Sequence, residues 1–211
     1  MIHSVGRNER KKAWEAITRQ AIVDAAVRVI SKSGVEGLKM ETVAHEAGVA
    51  KGTLYQYFKD KQDLLRSTME ASVGPLFDEI NAVLESNLSP REKLTRFINM
   101  HLGYFEEHRH LFRILLYDRH FVQSRCKRYG SERYRAFLER IASVLEEGMK
   151  SGEFRQAHSL RLAAILMESN IAMINQRLLA EHPSTVTEDC NLIESVFFQG
   201  ILAEPQTGKN L

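Results

Sequence analysis

The stretch from Met40 to Lys61, METVAHEAGVAKGTLYQYFKDK, limits the fold of this chain more than any other. Val43, Ala44 and Ala47 share one face of a helix predicted from Met40 to Ala47. Leu54 and Phe58, four residues apart, share the inner face of a second helix predicted from Lys51 to Phe58. Gly48 stands between them and supplies the positive φ that a sharp reversal needs. Two short helices so joined make a helix-turn-helix, whose second helix lies in the major groove of DNA.

The outward face of that second helix agrees with the reading. With Leu54 and Phe58 turned inward, Lys51, Thr53, Tyr55, Gln56 and Tyr57 remain for the open face or its margins. Lysine and tyrosine suit phosphate contacts, whereas Thr53 and Gln56 can reach base edges. Gly52, without a side chain, admits close approach of the sugar-phosphate backbone. An ordinary solvated helix more often carries Glu/Lys pairs than two tyrosines flanking a glutamine.

Ala47 to Leu65, AGVAKGTLYQYFKDKQDLL, resembles the signature of the TetR family of bacterial transcriptional regulators. The likeness extends back through Thr18 to Ala26, TRQAIVDAA, and covers about the first 65 residues. Beyond them it rests on length and helical rhythm. The resemblance implies a three-helix DNA-binding head followed by a helical domain that dimerises and takes an effector. It adds Thr18, Arg19, Met40 and Ala50 to the expected DNA contacts. Two positions depart from the pattern: Ala50 stands where a serine is frequent, and Lys39 where a threonine or serine caps the first helix of the pair.

Charge is distributed accordingly. Residues 1–61 hold 11 Lys/Arg against 7 Asp/Glu, a net +4, while residues 62–211 hold 18 against 20, a net −2. The positive field thus sits on the end that carries the helix pair. At 211 residues and 44% hydrophobic content, the chain can bury one sizeable core, or a small domain beside a larger one. Cys126 and Cys190 lack the spacing of a disulfide scaffold or a zinc site. There is no 18-residue apolar run, and Met1 to Lys12 lacks the apolar centre of a signal peptide. A cytoplasmic protein without a membrane segment is expected.

In chain order, residues 1–12 end in a basic Arg10-Lys11-Lys12 run, read either as a flexible arm on DNA or as a solvated terminus. A helix is predicted from Trp14 to Ser33, with Thr18, Ile22, Ala25, Val29 and Ile30 inward and Gly34 as its left-handed cap. Asp60 and Asp63 mark the next helix start, where Lys61 and the helix terminus are placed to hold one phosphate. That helix continues for about 27 residues with a kink expected near Ala71 to Val73, ahead of Pro75. Ser89-Pro90-Arg91-Glu92 opens a helix to about Glu107, followed by helices predicted at Leu111–Tyr117 and Phe121–Lys150. No segment alternates with period two, so the fold class is all-α, with about nine helices. The domains are taken as residues 1–60 (DNA-binding), 61–204 (effector-binding and dimerisation) and 205–211, a flexible tail.

The helix predicted at Leu160–Leu179 is apolar on nearly every side, which requires two buried faces, and the last, Thr187–Ala203, adds Leu192, Ile193, Val196, Phe197, Phe198, Ile201 and Leu202. Either both faces lie inside one protomer, or one forms a four-helix seam with a second copy. For the seam the candidates are Leu162, Leu166, Met173, Ile193, Val196, Phe197 and Gly200. A small hydrophobic effector is expected among His101, Phe105, Phe112, Leu116, Tyr134, Phe137, Asn170 and Ile174. His101 reads as either a satisfied core histidine or a polar anchor for such a ligand.

Competing chemistry is weaker. His101, His108, His110 and His120 lie near Glu106, Glu107 and Cys126, but Arg109 and Arg113 stand among them and repel a cation, so no metal is assigned. Nucleophile elbow, Walker loop, metalloprotease and dinucleotide motifs are missing, so neither catalysis nor a cofactor is expected. The leading reading is a homodimeric repressor on a palindromic operator in double-stranded DNA, released by an effector. The alternative is a DNA-tethered protein-interaction factor with no small-molecule effector.

Overall fold

The computed structural model describes residues 6–116 and 132–202, the side chains of residues 7, 8, 114–116 and 133 excepted. The described residues form nine helices and no strand, apart from one isolated antiparallel bridge between Phe154 and Leu202. In order these are α1 (Arg7–Gly37), α2 (Met40–Glu46), α3 (Lys51–Tyr57), α4 (Lys61–Leu84), α5 (Pro90–Glu107), α6 (Arg109–Leu116), α7 (Glu132–Lys150), α8 (Ser159–Leu179) and α9 (Val186–Ile201). No described helix is long and apolar enough to cross a membrane. The predicted starts at Phe121 and the tail at 205–211 fall outside the described residues.

The chain divides into two compact units, which among the described residues are 6–74 with 110–116, and 75–109 with 132–202. The first unit packs Ile22, Ala25, Ala26 and Ile30 of α1 with Val43 of α2, Leu54 and Phe58 around α3, and Leu64 of α4, all essentially solvent-free. Burying each of the Ile, Val, Leu and Phe side chains is worth about 1.5–3 kcal/mol, so short helices like α2 and α3 owe their stability to this core. The boundary lies within α4, at Gly74 and Pro75. The start of that helix is tied to the head, because Arg19 donates to the buried Ser67 hydroxyl at 2.9 Å. The helix runs on through Pro75, which cannot supply an amide to the Ala71 carbonyl.

The first helix corrects the sequence reading at its start, while Gly34 interrupts it where the left-handed cap was expected. It begins at Arg7, not Trp14, so residues 7–12 are helical rather than a flexible arm. The Glu9 carboxylate accepts from the Gly6 amide at 3.2 Å and satisfies the helix start. At the other end Gly34 adopts φ 67° and ψ −179°, a conformation open essentially to glycine alone, and a final turn follows it. Thr18 is only half-buried and spends its hydroxyl on the Trp14 carbonyl, 2.9 Å away.

In the second unit α8 packs against α7 and α5, and α9 against α5 and α8. Ser89 and Glu92 form the expected reciprocal cap of α5. Thr185 and Glu188 do the same for α9, a start the sequence reading missed by placing it one residue later. A buried ion network fixes the α8–α9 corner. Arg177 donates to Glu106 at 2.9 Å, to the Ser184 carbonyl at 2.8 Å, and to the Asp189 carboxylate.

Candidate nucleic-acid interface

The reading head is assembled by α2, the turn and α3. Gly48 has φ 69° and its amide bonds the His45 carbonyl, so the turn takes the glycine-favoured conformation. Neither α2 nor α3 has a side-chain cap, as Lys39 and Ala50 at their starts imply. Leu54 and Phe58 are buried, which fixes the roll of α3 about its axis. Lys51, Gly52, Tyr55 and Gln56 are then exposed, and Thr53 and Tyr57 are half-buried at the margins. Ala50 is exposed at the start of α3, and Met40 is half-buried at the start of α2. A Cβ built on Gly52 meets nothing within 4 Å, so no internal packing demands glycine there.

Three cations near this face have internal partners. Lys51 pairs with Glu41 across the two helices, and this hydrogen bond holds the Glu41 carboxyl below its usual range. Arg19 lies over the Phe58 ring, 4.8 Å from its centre, and joins α1 to α4 through Ser67. Lys61 is half-buried, and its ammonium donates to the Val35 carbonyl at 2.7 Å. The structure therefore gives Lys61 an internal acceptor where the sequence pointed it at a phosphate. Val35 is 26 residues away, and no local pattern announces it. Glu41 was likewise absent from the expected set, because its pairing depends on how α2 and α3 cross.

Beside α3 runs an open groove of about 400 Å³, lined by Glu15, Ala16, Arg19, Gln56 and Tyr57. One wall is α1 and the other is the back half of α3.

The expected effector residues divide. Phe112 is buried in the first unit, and the side chain of Leu116 lies outside the described residues. In the second unit His101 stacks on Phe97 at 5.5 Å and meets Phe105 edge-on at 5.4 Å. Phe77 lies 4.8 Å from Phe137 and 6.2 Å from His101, so Phe77 and Phe97 complete an aromatic cluster that the sequence reading only partly named. Tyr134 donates to Glu168 at 2.8 Å, and Ile174 is buried. Asn170 is fully buried; its amide donates to the Leu166 carbonyl, and its side-chain oxygen has no partner among the described residues.

The expected seam also divides. Leu166, Ile193 and Phe197 are buried in the protomer itself and present little surface to a second copy. Leu162 and Met173 are half-buried, while Gly200 is exposed. Val196 is 68% exposed and is joined by Leu192 at 55% and Ile165 at 56%. A helix apolar on all sides does not reveal which side faces its own core.

The histidines are dispersed. His108 stacks on Tyr104 at 4.2 Å and contacts its carbonyl, while His110 contacts the Ser31 carbonyl at 3.2 Å. Among the described residues no group of three or more His, Cys, Asp or Glu side chains gathers as a metal ion requires. His120 and Cys126 fall outside those residues. Burial pushes the Cys190 thiol up to about 11, far from a reactive thiolate.

Comparison with known proteins agrees with this geometry. Residues 22–68 match the family model of bacterial regulatory proteins of the tetR family, and residues 87–175 match the tetracyclin repressor-like C-terminal domain. The fatty acid metabolism regulator protein of Bacillus subtilis (strain 168) is 29% identical over 142 residues, 67% of this chain and 73% of that protein. The HTH-type transcriptional regulator BetI of Rhizobium meliloti (strain 1021) is 34% identical over 90 residues, 43% of this chain and 44% of that protein. Among solved structures, the fatty acid degradation regulator FadR of Bacillus halodurans superposes with a TM-score of 0.70 at 24% identity, covering 87% of this chain and 95% of that one.

Proposed function

Since the chain belongs to the TetR family of bacterial transcriptional regulators, we propose that it is a cytoplasmic homodimeric repressor, released from a palindromic operator by a small hydrophobic effector. The observation that carries the reading is the face of α3: Lys51, Gly52, Tyr55 and Gln56 stand clear while Leu54 and Phe58 anchor the helix from behind. Such a helix enters the major groove with its first turns, so Lys51 reaches phosphate and Gln56 and Thr53 reach base edges. Two-fold symmetry then requires two half-sites about one helical turn, or a near multiple, apart. Leu192 and Val196, one turn apart on α9, together with Ile165 on α8, supply the apolar surface for a second copy.

The effector reading is supported by the aromatic cluster around His101 and by the buried, unpartnered oxygen of Asn170, an acceptor for a ligand hydroxyl or amide. The relative whose name concerns fatty acid metabolism makes acyl compounds the first class to try. To turn a mostly bound population into a mostly free one, the effector must discriminate the two states by about 5.5 kcal/mol. The second half of α4, from Pro75, belongs to the effector unit and the first half to the head, so one helix carries the displacement.

Selection of bound sites from random duplex DNA tests the reading. The expected product is an inverted repeat. Recovery of an asymmetric site, or of no site at low ionic strength, overturns it. Acyl compounds that raise the melting temperature and release the selected duplex identify the effector class.

A further inference from the structure

The first turns of α1 belong to no core. Residues 9–17 are exposed without exception, and from residue 9 onward the first buried residue is Ile22. At 1.5 Å per residue the exposed run overhangs by about 13 Å. Its sides are unlike. Helical spacing places Lys11 above Glu15 and Arg19, and Lys12 above Ala16 and Arg19. Glu15, Ala16 and Arg19 are the wall of the groove whose other wall is Gln56 and Tyr57 of the reading helix. The basic stripe therefore continues the face that α3 presents, on the same rigid helix. Lys11, Lys12 and Arg19 outnumber Glu9 and Glu15, so this stripe is net positive, with Lys11 3.9 Å from Glu15. At its margin stands Trp14, 69% exposed and the single tryptophan of the chain. Ile17, three residues on, is 62% exposed as well, so the indole is free to pack against a partner.

We propose that the overhang of α1 is a second DNA-contacting element, in which Lys11 and Lys12 follow the phosphates flanking the base pairs read by α3 and Trp14 packs against the deoxyribose edge. The inference rests on the DNA-binding reading above and extends its footprint. Continuity with the α3 face and the sign of the charge favour duplex DNA over an apolar protein surface. A backbone contact of this kind reads no sequence, and it makes affinity depend on how much duplex lies outside the half-sites.

Trp14 reports the contact directly. The full-length protein is titrated with the duplex it selects from a random pool, once bare and once with about ten flanking base pairs on each side, which is one helical turn. Tryptophan emission and iodide quenching are read beside the anisotropy of the labelled duplex. With the flanked duplex the emission shifts to the blue, iodide quenching falls at least threefold, and binding tightens about tenfold. The K11Q/K12Q protein binds the bare duplex within twofold of the parent, loses the gain from the flanks, and shows a salt slope lower by about 2, at roughly 0.9 per phosphate contact. Unchanged quenching at saturating anisotropy overturns the inference while leaving the operator reading intact. Shielding of Trp14 on raising protein concentration without DNA overturns it in favour of a contact between copies. A flat anisotropy trace removes the DNA reading and this inference together.

Discussion

The Lys61 ammonium donates to the Val35 carbonyl at 2.7 Å, tying the first residue of α4 to the last turn of α1. The same carbonyl accepts from the Leu38 amide at 3.1 Å, so the ammonium is its second donor. One of the three ammonium hydrogens is thereby committed inside the head. Lys61→Ala is expected to lower the unfolding free energy by about 1–2 kcal/mol, the worth of a partly buried hydrogen bond to a charged group. Operator affinity should drop through the loosened head while the salt slope stays as it was. A slope reduced by about 0.9 with stability untouched assigns Lys61 to a phosphate instead.

Gly52 separates folding from recognition. Its Cβ position is open, and alanine is the better helix former by about 0.5–1 kcal/mol. Gly52→Ala should therefore raise the melting temperature slightly and weaken operator binding tenfold or more, because the added methyl stands where the DNA backbone comes close. Differential scanning calorimetry and a binding isotherm on the same preparation decide it. A variant that binds as tightly as the parent shows that the start of α3 never reaches the duplex.

Glu41 and Lys51 form an exposed ion pair at the mouth of the reading head. Exposed pairs are weak, so a phosphate can take the lysine from the carboxylate at small cost. The released Glu41 then lies in the field of the phosphates. Glu41→Gln is expected to tighten operator binding three- to tenfold at low salt, and Lys51→Ala to weaken it and flatten the slope by about 0.9. Weaker binding by Glu41→Gln would instead mean that the carboxylate positions Lys51 for its contact.

The parts of the head that were legible in the sequence are those fixed by neighbours within a few residues. Gly48 had to turn, Leu54 and Phe58 had to face one way, and Ser89 and Glu92 had to cap α5. The start of α1 was missed because Arg7 to Lys12 carry no apolar periodicity; that run is helical through the Gly6–Glu9 bond and its own backbone. Partners distant in sequence were also hidden: Val35 for Lys61, and Glu106 for Arg177, 71 residues away. In α8 and α9 the apolar residues were visible but their orientation was not. Leu166, Ile193 and Phe197 went inward and left Leu192 and Val196 outside.

That division directs the dimer test to the outer pair. Val196→Asp and Leu192→Asp place charge on surface that is solvated in the protomer, so each should cost the protomer under about 0.5 kcal/mol. Buried in a seam, the same charge is uncompensated and disfavours association by several kcal/mol. Sedimentation should show the parent as a dimer and the variants as monomers, with operator binding reduced by more than 100-fold. A variant that remains dimeric places the seam elsewhere.

The Arg177 network predicts an asymmetry between single and double changes. The side chains of Arg177 and Asp189 are only 6% and 9% exposed, and Glu106 and Ser184 supply the remaining hydrogen bonds. Removing one partner leaves a buried charge short of its compensation, a loss of about 3–5 kcal/mol in comparable sites. Glu106 remains as a second counter-ion, so Asp189→Asn should fall at the lower end, near 3 kcal/mol. Arg177→Met alone leaves the buried Asp189 without a cation, while Glu106 keeps Arg109 at 3.5 Å, and should cost at least as much. Arg177→Met combined with Asp189→Asn removes the buried charge and should recover at least 1 kcal/mol of the sum of the single losses. Urea midpoints for the four proteins give the coupling. Strictly additive losses would mean that the two side chains stabilise the α8–α9 corner independently, and that the network is a set of separate bonds.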